Sequence, residues 1–136
     1  MMSTPHEILH PKHWKKAQGY ANGVAASGRL VFCGGLIGWN ANQQFESDDF
    51  VAQAAQTLRN IVEVLNEAGA KPEHLVRLTW YVTDKRDYLG SLKDLGRAYR
   101  DIIGNHYPAM ALVEVKALVE DRAKVEIEAT AVISEA

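Results

Sequence analysis

Apolar positions along the chain change their spacing several times, and each change marks an element. Val24-Ala-Ala-Ser-Gly-Arg-Leu-Val-Phe32 sets two β-prone runs on either side of Ser27-Gly28, a hairpin signal. Gly34-Gly35 then end or bend the second run. From Phe50 the repeat lengthens: Phe50, Ala54, Leu58, Ile61 and Leu65 form one stripe of an α-helix. Ser47 or Asp48 is placed to cap its first turn, Gly69 supplies a left-handed stop, and Pro72 forbids continuation. His74 to Thr83 alternates, with Val76, Leu78, Trp80 and Val82 on one face, which predicts a strand. Asp84 or Asp87 starts a second helix that turns Tyr88, Leu92, Leu95, Tyr99 and Ile102 or Ile103 inward and closes at Gly104-Asn105. Strands over Ala109–Leu118 and Ala123–Ile133 follow, joined by a turn at Val119-Glu120-Asp121.

The order β-β-α-β-α-β-β predicts an α+β domain in which two helices cover one face of a mixed sheet. Residues 1–16, with two prolines and little periodicity, read as an irregular N-terminal arm, and residues 17–136 as a single domain. The uncovered face carries Thr79, Tyr81, Glu114, Glu126 and Glu128 among apolar neighbours. Such a face is too apolar for full exposure and too polar for a dry core, so it is expected to meet another subunit.

Composition narrows the function classes. A chain of 136 residues with a net charge of −2 suits one compact domain and offers no basic stripe for nucleic acid. No apolar run approaches the roughly 20 residues that span a bilayer, and MMSTPHEILH lacks a signal core. A lone cysteine excludes an intrachain disulfide, so the cytoplasm is the expected compartment. His10 and His13 lack a third ligand, and neither metal nor cofactor is expected.

Several segments in order carry a resemblance. These are Gly19-Tyr20, Phe32-Cys33-Gly34, Asn60-Ile-Val-Glu-Val-Leu-Asn-Glu-Ala-Gly69 and Leu78-Thr-Trp-Tyr-Val-Thr-Asp84, then Tyr107-Pro-Ala109, Val113-Glu-Val115 and Val125-Glu-Ile-Glu-Ala129. Together they resemble the RidA family, also called YjgF or endoribonuclease L-PSP. The resemblance implies a homotrimer with a fold similar to trimeric chorismate mutase, and small-molecule pockets between subunits. It also implies hydrolysis of short-lived imines or enamines without a cofactor. By the same resemblance Glu126 holds the attacking water and Tyr20 orients the substrate. Backbone at Cys33 and Gly34 binds the substrate nitrogen. Trp39 is either a core or interface aromatic or, from its place just after the glycine loop, a pocket-lining residue.

One departure changes the expected substrate. Where the family carries an arginine that grips the substrate carboxylate, this chain has Met110, which has neither donor nor charge. Losing a bidentate grip on a desolvated carboxylate costs on the order of 2–5 kcal/mol, so free 2-imino acids become poor substrates. Met110 and Leu112 instead suit an apolar or aromatic ligand, or a carbonyl lacking a free carboxylate. Lys93 replaces a family asparagine and is either a substitute anion anchor or a solvated helix lysine. Gly34-Gly-Leu-Ile-Gly38 departs from the family loop and predicts a wider pocket mouth. The resulting reading is a RidA-like hydrolase with altered specificity; the second reading is a non-catalytic trimeric module that binds a small molecule.

Overall fold

Leu58, Ile61 and Leu65 are completely buried, and the chain is layered around that helical stripe. The computed structural model describes residues 4–135. Within them run β1 (Glu7–Leu9), β2 (Gly23–Ala25), β3 (Arg29–Ile37), α1 (Phe50–Glu67) and β4 (Leu75–Val82), followed by α2 (Lys85–Leu89), α3 (Leu92–Ile102), β5 (Ala109–Glu114) and β6 (Val125–Ile133). A 3-10 turn at Pro72–His74 leads into β4. The main sheet has the order β3-β6-β4-β5; β6 is antiparallel to both neighbours, while β4 and β5 are parallel. A parallel pair needs a long crossover, which α2 and α3 supply. α1 and α3 pack together on one face, over Leu78, Trp80, Val82, Val125 and Ile127. The α+β architecture with a mixed sheet is thus the one the alternating and helical periods predict.

The expected hairpin does not form. β2 pairs with β1, Glu7 opposite Ala25 and Leu9 opposite Gly23, whereas β3 pairs with β6. Gly28, at φ +145, passes so close to the end of β6 that a Cβ would stand 2.8 Å from the Ile133 carbonyl carbon. That approach steers β3 into the main sheet and leaves β2 without its expected partner. The arm expected to be irregular over residues 1–16 therefore contains a strand. It is also tied down: Thr4 Oγ1 donates to the Glu73 carbonyl at 2.7 Å, and His6 Nε2 lies 3.0 Å from the His74 carbonyl oxygen.

Other boundaries shift for local reasons. Asp49, not Ser47 or Asp48, caps α1 by accepting from Ala52 N at 2.9 Å; Ser47 Oγ accepts from Asp49 N instead. Gly69 ends α1 at φ +77, as its position predicts. A bulge between Leu75 and Arg77 places Leu75 in the core instead of the half-buried Val76. The predicted second helix breaks at Gly90 into α2 and α3, and Asp84 caps the first piece. Leu95, Tyr99 and Ile103 reach the core, but Leu92 stays 52% exposed. β5 stops at Glu114 rather than Leu118 because β4 ends at Val82 and offers no further partner.

Candidate functional site

Parallel register puts Met110 beside Leu78 and Leu112 beside Trp80, on the face the helices cover. The break at Gly90 stops the helical layer from closing over them. What remains is an open-sided cavity of about 590 Å³. Met110 and Leu112 contribute from β5, Tyr88, Leu92, Gly96 and Arg100 from the helices, and Gln18 to Tyr20 from the chain before β2.

The walls are fixed by buried hydrogen bonds. Ala21 N donates to the Pro108 carbonyl at 3.0 Å, which anchors the segment next to Tyr20 against the start of β5. Tyr99, also in the wall, donates its hydroxyl to the His106 carbonyl at 2.6 Å. Its ring stacks on Tyr107, centroids 5.1 Å apart and planes 11° off parallel. Burial pushes the Tyr99 phenol well above its ordinary value, so it stays a neutral donor. His106 Nε2 lies 2.7 Å from the Leu75 carbonyl oxygen, which can only accept, so the proton sits on Nε2. Burial holds the His106 pKa below its ordinary 6.5, and nearby His6 adds to the lowering.

Glu126 lies on the other side of the sheet. Its register partner on β4 is Tyr81, one step from the Thr79–Glu128 pair. Tyr81 Oη donates to Glu128 Oε1 at 2.7 Å, and that bond raises the phenol's pKa. Gly35 makes room for the Glu126 carboxylate: a Cβ there would overlap Oε2 and come within 2.9 Å of Cδ. Leu30 and Phe32 are 57% and 71% exposed, and Val113 is exposed as well. They set exposed apolar side chains among the polar ones of this carboxylate-bearing face.

The fold thus gathers Tyr20, Met110 and Leu112 in one cavity and puts Glu126 on the opposite face. Cys33 is buried among core residues, and desolvation pushes its thiol up, away from the thiolate a nucleophile needs. Gly34 is exposed on the bulged stretch of β3. Trp39 packs against Phe45, ring centroids 5.9 Å apart, and its carbonyl accepts from Asn60 Nδ2 at 2.8 Å. Neither Trp39 nor Lys93 lines the cavity; Lys93 is exposed on α3. Glu114 Oε1 accepts from Lys85 N at 2.9 Å, at the start of α2.

Sequence reasoning missed Arg100. The cation that lines the cavity is this guanidinium and not Lys93. Its signal was present as the four-residue steps from Tyr88 through Leu92 and Gly96 to Arg100, one side of a helix. The helical period alone did not say whether that side met core, solvent or a cavity.

Comparison with known proteins agrees with this fold. The family model described as Endoribonuclease L-PSP matches residues 11–133. The chain is 39% identical over 103 residues to the RutC family protein y4sK of Sinorhizobium fredii, covering 75% of this chain and 78% of that one. It is 33% identical over 116 residues to the 2-iminobutanoate/2-iminopropanoate deaminase of Salmonella typhimurium, covering 83% and 86%. Its fold is similar to the crystal structure of YyfB, a protein of unknown function of the conserved Rid family from Yersinia pestis. The TM-score is 0.84 at 31% identity, over 94% of this chain and 98% of that one.

Proposed function

This chain belongs to the endoribonuclease L-PSP family, and on that premise we propose that it is a homotrimeric hydrolase of enamines, imines or related reactive small molecules, with specificity turned away from free 2-imino acids. One observation carries the reading. The cavity bearing Tyr20 and Met110 and the carboxylate of Glu126 occupy opposite faces of one sheet, so a single chain cannot present both to one ligand. A second copy seated on the open face can complete the site. The exposed Leu30, Phe32 and Val113 favour that docking, since burying such side chains contributes about 1.5–3 kcal/mol each. Among the described residues no helix is long and apolar enough to cross a membrane.

In the proposed reaction an enamine first takes a proton on its β-carbon and gives one up from nitrogen, becoming an imine. Glu126 holds a water and accepts its proton as the oxygen bonds to the imine carbon, and the C=N π pair moves to nitrogen. Glu126 returns that proton to nitrogen, the new hydroxyl passes its own proton to nitrogen as well, and as the C–N bond breaks ammonia leaves and the oxygen closes the C=O bond of a carbonyl compound. Tyr20 orients the substrate, backbone at Cys33 and Gly34 binds its polar atom, and Met110 and Leu112 pack the remainder.

The test is ammonia release from 2-iminobutanoate generated in situ, compared with its methyl ester. The ester is expected to turn over faster, and rapid hydrolysis of the free acid would overturn the proposed specificity. Glu126→Gln is expected to lose most activity. If no substrate turns over and the variant binds ligands as the parent does, the non-catalytic binding module replaces the hydrolase.

A further inference from the structure

We propose that Arg100 is the anion anchor of the cavity, and that it selects monocarboxylates whose acid group is separated from the reacting end by an apolar or aromatic segment. The inference rests on reading this cavity as a ligand site, but it does not depend on chemistry taking place there.

The geometry starts from Gly96, one helical turn before Arg100. A Cβ built on Gly96 would stand 3.2 Å from Arg100 Nη1, so the guanidinium lies back along α3 over the missing side chain. Both residues line the cavity. The guanidinium is also uncommitted. Arg86, Arg97 and Arg122 each have a carboxylate within 4.0 Å, namely Asp84, Asp94 and Asp48. Among the described residues Arg100 has no ion-pair partner and no side-chain hydrogen bond. No Asp or Glu lines the cavity to neutralise it.

A guanidinium beside Tyr88, Leu92 and the aromatic wall acts across a medium less polar than water, which strengthens its pull on an anion. Its planar fork matches a carboxylate through two parallel N–H···O bonds. Position determines which carboxylates qualify. Arg100 is exposed and sits on α3, so it holds the acid at the rim. Met110 and Leu112, on β5, give no donor and pack hydrocarbon. A 2-imino acid carries its carboxylate on the reacting carbon and cannot place one at the rim and the other over β5. An acid with an apolar spacer can do both.

Equilibrium binding of unreactive probes to the intact oligomer tests this. Phenylbutanoate and its primary amide, phenylbutanamide, share an aromatic body and differ in charge. The acid is expected to bind at least about tenfold tighter than the amide, as for a hydrogen bond to a charged group. Arg100→Gln is expected to abolish that preference by weakening acid binding much more than amide binding, and Arg100→Lys to retain part of it. Added salt is expected to narrow the gap in the parent protein. Equal binding of acid and amide, no binding of either, or a preference that survives Arg100→Gln would overturn the inference. So would a changed oligomeric state in Arg100→Gln, because the guanidinium would then belong to a subunit contact. A protein that keeps an Arg100-dependent preference but hydrolyses nothing would instead overturn only the proposed hydrolase.

Discussion

Replacing Gly35 by alanine asks whether the Glu126 carboxylate has to lie where it does. The added Cβ would overlap Oε2 and stand 2.9 Å from Cδ and 3.2 Å from Cγ of Glu126. The three nearest atoms all belong to that one flexible side chain. Gly35 is not among the glycines with positive φ, so alanine adopts its backbone conformation without strain. The least costly response is for Glu126 to swing aside, at about 0.5–1.5 kcal/mol if it leaves its preferred rotamer. Alanine returns about 0.4–1 kcal/mol by restricting the unfolded chain. The two nearly cancel, so stability should stay within about 1 kcal/mol of the parent, a few degrees in Tm. Turnover should respond very differently. A positioned acid or base contributes about 10²–10⁴-fold, and a displaced carboxylate should forfeit at least about tenfold of that. The assay compares kcat for ester-enamine hydrolysis in the parent, Gly35→Ala and Glu126→Gln, with thermal melts of all three. Full activity in Gly35→Ala beside an inactive Glu126→Gln would refute the idea that Gly35 sets the carboxylate's place. Loss of folded protein would refute the energy balance.

Further outcomes follow from the same contacts. Met110→Arg puts a guanidinium fork on β5 and should raise kcat/KM for 2-iminobutanoate at least about tenfold; no gain would show that a guanidinium at this position is not what limits that substrate. Phe32→Glu puts a charge on a side chain that is 71% exposed in one chain, and light scattering should show the oligomer dissociating while the fold survives. His106 ties stability to pH. Its folded pKa lies below the ordinary 6.5, so below 6.5 the unfolded chain takes up a proton that the folded one refuses. Its stabilising contribution is therefore complete above that value and declines as pH falls toward the folded pKa, by up to about 1.4 kcal/mol per pH unit. Denaturant midpoints of His106→Asn should fall less steeply over that window, and parallel curves would contradict the assignment.

Periodicity made most of the fold legible before any coordinates. Phe50, Ala54, Leu58, Ile61 and Leu65 on α1, and Val125, Ile127, Ala129 and Ala131 on β6, are all buried. Repeats of 3.6 and 2 residues are local properties of a chain that must turn one side inward. Partners were less legible. The runs around Ser27-Gly28 read as a hairpin because adjacency is all a sequence displays, yet β1 and β6 took those edges. Tyr20 and Met110, singled out from the family pattern, line one cavity, whereas Glu126, singled out with them, does not. Arg100 carried none, because its importance depends on Gly96 and on the gap that the break at Gly90 opens beside it.

From residues alone came the class of the fold and the helical and strand faces. Tertiary structure decided that Met110 and Glu126 lie on opposite sides of one sheet, that the N-terminal arm joins β2, and that Arg100 reaches the cavity. The reason is physical. Which side a residue faces follows from its own few neighbours in the chain, but what it faces depends on segments dozens of residues away, whose closeness is set by the burial of the whole core.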